Sequence, residues 1–83
     1  MAKVKVHLWS ALRAHAGGAE AVEVEARNIG QMLDALRARY PGLAPALDAG
    51  VSVSIDGRII AASLTEPVAP GQEIYLMQRL KGG

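Results

Sequence analysis

No cysteine occurs among the 83 residues. That single absence removes disulfides, thiolate metal sites, persulfide carriage and cysteine nucleophiles together. Phenylalanine is also missing, and the aromatics reduce to one Trp and two Tyr, so Val, Leu, Ile and Ala must fill the interior. Neither sign of charge is in excess: nine basic and eight acidic side chains leave a net +1. So close a balance gives no field for nucleic acid, and there is no Lys/Arg cluster interleaved with aromatics. No run approaches the roughly 18 apolar residues of a membrane span. Residues 1–9 alternate in polarity instead of forming the apolar heart of a signal peptide. A soluble, cytoplasmic protein is expected, with no membrane segment and no nucleic-acid partner.

What is present is enough for one core, since 51% of the residues are hydrophobic. The length allows one domain. A domain of this size buries only about 60–65% of its unfolded surface, so its stability should be modest.

Residues 3–9 read Lys-Val-Lys-Val-His-Leu-Trp. Val4, Val6 and Leu8 point one way and Lys3, Lys5, His7 and Trp9 the other, the period of a half-buried strand. A connection follows over 10–19, with one helical turn near Ser10–His15, Leu12 dipping inward, and Gly17-Gly18 turning the chain back. Val22 and Val24 alternate with Glu23 and Glu25 in a second strand over 20–26. So short a link makes this strand antiparallel to the first.

Asn28 with Gln31 three residues on is a capping-box pattern. Ile29, Met32, Leu33, Leu36 and Tyr40 then follow at helical offsets, giving one amphipathic helix. Arg37 and Arg39 favour the negative end of its dipole, Asp34 and Arg37 form an exposed pair, and Pro41-Gly42 stops it. Residues 43–50 read as a short turn with Leu47 at the core edge. A third strand over 51–55 leads through Asp56-Gly57, a two-residue hairpin signal, into a return strand at 58–60. Residues 61–72 read as irregular, anchored by Leu64 and Val68, with a turn at Pro70-Gly71. The last strand covers 73–78, with Ile74 and Leu76 on one side and Tyr75 and Met77 on the other. The order β-β-α-β-β-β with one main helix predicts an α+β domain over 1–78, the helix packed across one face of the sheet. The other face is solvated or a docking surface, and His7, Trp9, Tyr75 and Met77 are its candidate contacts.

Beyond the domain lies a five-residue tail, Arg79-Leu80-Lys81-Gly82-Gly83. Two residues without Cβ can lie in a groove too narrow for others, and a free carboxylate on Gly83 is open to a catalyst. Other chemistry finds little support. His7 and His15 lack carboxylate or Cys company at metal-ligand spacing, so no metal site is expected. Ser10, His15 and Asp34 make no convincing triad. Gly17-Gly18 is not followed by the Lys-Ser/Thr of a phosphate loop.

The element order, the helix ending Tyr40-Pro41-Gly42-Leu43 and the Gly82-Gly83 tail together resemble the ubiquitin-like β-grasp fold. They resemble more closely the MoaD/ThiS family of small sulfur carriers, and within it the molybdopterin synthase small subunit. Leu8-Trp9-Ser10-Ala11-Leu12-Arg13 with Gly17-Gly18 is similar to the family's first strand and loop. Val53-Ser54-Ile55-Asp56-Gly57 sits where the family has a strand and an Asn/Asp-Gly hairpin. Pro67-Val68-Ala69-Pro70-Gly71-Gln72-Glu73-Ile74 is similar to a stretch that commonly reads Pro-Leu-x-Asp-Gly-Asp-Glu-Val, with Pro70 and Gln72 as departures.

The resemblance implies that an E1-like adenylyltransferase of the MoeB/ThiF type uses ATP and Mg²⁺ to adenylate Gly83, after which sulfur gives a thiocarboxylate. Gly82, Lys81, Leu80 and Arg79 would bind that partner, and a large catalytic subunit of the MoaE type would receive the tail. The chain itself would hold no cofactor and would not be catalytic alone. Three functions stay open: a sulfur carrier for molybdopterin, or for thiamine or cysteine; a protein modifier joined through Gly83 to lysines, suggested by an Arg-Leu-Lys approach similar to ubiquitin's Arg-Leu-Arg; and a plain β-grasp interaction module.

Overall fold

The computed structural model describes residues 3–60 and 64–78. Strand β1 (Lys3–His7) has Val4 and Val6 fully buried and Lys3 and Lys5 exposed. Strand β2 (Ala21–Glu25) pairs with it antiparallel, setting Lys3 opposite Glu25 and Lys5 opposite Glu23. Val22 and Val24 face the core and the two glutamates face water. Between them the chain makes helix α1 (Ser10–Arg13) and a 3₁₀ turn at Ala14–Ala16. Leu12 is buried there, and Gly17 takes the left-handed conformation (φ 67°) that reverses the chain.

Helix α2 (Ile29–Arg39) buries Ile29, Met32, Leu33 and Leu36. The Asn28 side chain accepts from the Gln31 N–H at 2.8 Å. The Gln31 side chain reaches back one residue further than a capping box requires, accepting from the Arg27 N–H at 2.9 Å. The segment 64–68 crosses this helix end: the N–H groups of Ile29 and Gly30 donate to the carbonyls of Glu66 (3.0 Å) and Leu64 (2.8 Å). Donors that a helix leaves without internal partners are satisfied in this way.

Residues 43–50 are more ordered than a turn. After a 3₁₀ turn at Pro41–Leu43 the chain forms helix α3 (Ala44–Ala49), with Leu43 and Leu47 buried. Pro45 sits in its first turn, where a missing N–H does no harm. Arg37 ties the two helices together, donating to Asp34 at 2.8 Å and to Asp48 at 3.0 Å.

Strands β3 (Val51–Ile55) and β4 (Arg58–Ile60) form the expected hairpin. Both turn residues have positive φ, 51° at Asp56 and 85° at Gly57, the requirement of a type I′ turn. Asp56 also fastens the turn to the start of the last strand: its N–H donates to the Glu73 carbonyl and its carboxylate accepts from the Glu73 N–H, each at 2.8 Å. Strand β5 (Ile74–Gln78) lies in the middle of the sheet, whose order is β2-β1-β5-β3-β4. It runs parallel to β1 and antiparallel to β3. The result is a five-stranded mixed sheet with α2 as the main helix on one face, a β-grasp arrangement. Val4, Val6, Val22, Val24, Val53, Ile55, Ile74 and Leu76 meet the helix residues in one core.

Two residues, the anchor Leu64 and the open-face candidate Trp9, behave otherwise than expected. Val68 is buried, but Leu64 is 58% exposed: its backbone carbonyl caps α2 while its side chain stays in water. Trp9 does not continue the alternation of β1. The strand ends at His7, and Trp9 is the residue from which α1 starts, half-buried against the core.

Candidate functional site

The register across the open sheet face brings one row of side chains together. His7 is level with Tyr75 on β5, Tyr75 with Ser54 on β3, and Ser54 with Ile59 on β4. Directly opposite residues share a face, so these four run side by side across four strands. His7 and Tyr75 stack, ring centroids 4.3 Å apart and planes 16° from parallel. Tyr75 is 42% exposed and Ile59 is 68% exposed, while Ser54 is buried between them. One step along, Met77 lies level with Ser52, half-buried.

The face divides electrostatically. On the β1–β2 side stand Lys3, Lys5, Glu23 and Glu25. On the β5–β3–β4 side Tyr75, Met77, Ser52, Ser54 and Ile59 carry no charge. The uncharged half contains β5, which residues 79–83 follow in sequence. Within this uncharged area Tyr75 and Ile59 are the exposed large side chains.

Of the residues expected at an interface, His7, Tyr75 and Met77 come together. Trp9 stands apart from their row because the chain has already left the sheet. Arg79, Leu80, Lys81, Gly82 and Gly83 lie outside the described residues. Ile59 was not foreseen. The alternation Arg58-Ile59-Ile60 held the signal, since Ile60 pairs with core-facing Val53 and so sends Ile59 to the other face.

Among the described residues no group of three His, Cys, Asp or Glu side chains is placed to hold a metal ion, and no helix is long and apolar enough to cross a membrane. His15 packs against Gly42, 3.1 Å from where a Cβ would stand, which is a packing role.

The fold and the sequence both have counterparts. The model of the ThiS family matches residues 6–83. The comparison with curated protein sequences gives no match. Among solved structures, small archaeal modifier protein 1 of Haloferax volcanii is similar at 29% identity and a TM-score of 0.77, over 96% of this chain and 100% of that one. A chain of the BexX/CysO complex of Amycolatopsis orientalis is similar at 22% identity and a TM-score of 0.79, over 96% and 99%. A chain of the complex of subunits 1 and 2 of the molybdopterin-converting factor of Helicobacter pylori is similar at 21% identity and a TM-score of 0.66, over 98% and 99%. The last two likenesses bear on the fold alone. With a β-grasp sheet, an uncharged half-face adjoining the tail strand and a family match running through both terminal glycines, this chain belongs to the ThiS family, in keeping with its resemblance to the MoaD/ThiS carriers.

Proposed function

We propose that this chain is a sulfur carrier working through the carboxylate of Gly83, with molybdopterin assembly as the pathway served. The observation that carries the reading is the extent of the family match, which runs through Gly82 and Gly83. In the first step a carboxylate oxygen attacks the α-phosphate of ATP and pyrophosphate leaves. A carboxylate is anionic and has a poor leaving group; the acyl-adenylate has a good one. Hydrosulfide then adds at the carbonyl carbon, AMP departs, and a thiocarboxylate remains. One difficult substitution becomes two easier ones.

The catalysis belongs to the partner, an E1-like adenylyltransferase of the MoeB/ThiF type, where ATP and Mg²⁺ are held. This chain supplies the reacting terminus and the means of being held. Arg79 and Lys81 pair with acidic groups in the partner's groove, Leu80 fills a small pocket, and the two glycines pass the narrowest part. Ordering such a tail opposes binding by roughly 1–2 kcal/mol per residue, so a second contact on the folded body is needed. His7, Tyr75, Met77 and Ile59 provide it, next to the strand from which the tail leaves. A large subunit of the MoaE type then accepts the loaded tail; the Helicobacter pylori complex of two subunits supports that arrangement for a chain of this fold. We set this ATP-dependent chemistry in the cytoplasm.

A second reading, a protein modifier, is favoured by the 29% identity to small archaeal modifier protein 1 and by Arg79-Leu80-Lys81 before the glycines. It predicts Gly-Gly remnants on lysines of cellular proteins. One experiment tests what the two readings share. Adding a single Ala after Gly83 moves the carboxylate by one residue, and ATP–pyrophosphate exchange with the cognate E1-like enzyme should vanish. Undiminished exchange would mean that the reaction does not depend on the Gly83 carboxylate, and no exchange even with the unextended chain would leave only a β-grasp interaction module.

A further inference from the structure

One of the two edges of the sheet, the β2 edge, offers a second place for the tail. Among the described residues β2 is an edge strand, hydrogen-bonded to β1 on one side only. Beside that edge runs a groove of about 660 Å³, lined by Lys3, Glu23, Val24, Glu25, Ala35, Ala38 and Arg39. Its wall on α2 is made of Ala35 and Ala38, with Arg39 at the end of the helix, so an added strand can lie close to the helix over the two alanines.

The charges of β2 decide what can lie there. Glu23 and Glu25 stand two residues apart, exposed, on the open face. A second β2 laid against the first would set carboxylate against carboxylate, which disfavours pairing. A fitting strand is basic at alternate positions and apolar between them, as β1 is with Lys3 and Lys5 opposite the same two glutamates. Arg79-Leu80-Lys81 has that pattern at that spacing.

We propose that residues 79–81 of a second copy of this chain add to the edge of β2. Arg79 and Lys81 stand beside Glu23 and Glu25, and Leu80 turns inward over Ala35 and Ala38. The remaining cations of the groove, Lys3 and Arg39, are left for the carboxylate of Gly83; this part rests on the carrier reading, in which Gly83 is the free terminus. The tail cannot reach the site within its own molecule. Tyr75 is level with His7, so Gln78 lies three residues beyond that level, while Glu23 is level with Lys5, two residues before it. Five residues of strand separate them, about 16 Å along the sheet. Arg79 follows Gln78 directly, and one residue spans at most about 3.8 Å. Such an arrangement sequesters the reactive terminus of an uncommitted carrier and exposes it again on dilution or on meeting a partner.

The test is a titration of the ¹⁵N-labelled full chain with a synthetic peptide of residues 78–83. Amide shifts should concentrate at Val22–Glu25 and Ala35–Arg39 and saturate in the submillimolar range. Binding should weaken about fivefold in Glu23→Gln/Glu25→Gln and severalfold for a peptide amidated at Gly83. It should disappear in Ala38→Arg, which blocks the groove at an exposed helix position. The spectrum of each variant reports whether it is folded. Sedimentation of the full chain should show self-association that a chain lacking 79–83 does not. Shifts confined to His7, Tyr75 and Ile59, or none at millimolar peptide, would overturn the proposal. Peptide binding at the groove with a strictly monomeric full chain would also overturn it, and would assign the groove to a basic strand of another protein. None of these readouts involves adenylation, so their failure leaves the carrier reading untouched.

Discussion

Replacing Leu36 by Ala probes the packing on which the site depends. Leu36 is fully buried on the inner face of α2. The substitution removes three carbons, worth about 0.8 kcal/mol each by burial, or about 2.4 kcal/mol in total. The cavity left behind adds to this, and Leu-to-Ala changes in cores fall at about 2–5 kcal/mol. A value near 3 kcal/mol is expected. At 0.05–0.15 kcal/mol per residue a domain of this size has only about 4–12 kcal/mol in all, so the loss is a large share. For a domain of this length it corresponds to a fall in Tm of roughly 12–24 °C. Urea unfolding followed by circular dichroism measures it, with the slope of the transition unchanged. The comparison is Asp34→Ala on the outer face of the same helix. That change removes one of two exposed contacts to Arg37 and should cost less than about 1 kcal/mol. A Leu36→Ala loss below 1 kcal/mol, or one no larger than that of Asp34→Ala, would refute the assignment of the helix faces.

Two further substitutions separate fold from function. Asp56→Ala places a Cβ-bearing residue without a local acceptor at φ 51° and breaks the bond to the Glu73 N–H. The expected cost is about 1–3 kcal/mol in urea unfolding, with Asp56→Asn well below it; equal values for the two would deny the side chain its role in the turn. Ile59→Asp puts a charge on the uncharged half of the open face, at a position 68% exposed. Capture by the E1-like enzyme should fall at least about tenfold while the unfolding free energy stays within about 0.5 kcal/mol of the parent. Unchanged capture would remove β4 from the interface.

Local chemistry made much of this fold legible in the sequence. Lysines and glutamates alternating with valines announce β1 and β2, because period two leaves no other way to bury the valines. Asn28 and Gln31 mark the start of α2, and Asp56-Gly57 specifies its turn. What escaped notice depends on tertiary context. Helix α3 offers only Leu47 as a buried position and carries Pro45, so it has no apolar period to detect. Leu64 looks like an anchor by its side chain, but its carbonyl is what the structure uses. Trp9 follows the alternation of β1 on paper, yet the strand has already ended. The row His7–Tyr75–Ser54–Ile59 exists only through the parallel register of β1 with β5 and the hairpin register of β3 with β4, and neither is written in any one segment. For the tail the sequence speaks through residue type alone: two glycines after Arg-Leu-Lys, meaningful because of the family they resemble.

The intact mass of the chain tests the central claim most directly. After incubation with ATP, Mg²⁺, a sulfur source and the cognate E1-like enzyme, the mass should rise by the difference between one sulfur and one oxygen, about 16 Da, and fragmentation should map the change to Gly83. An unchanged mass, with no AMP released by any E1-like enzyme of the same cell, would contradict the carrier account.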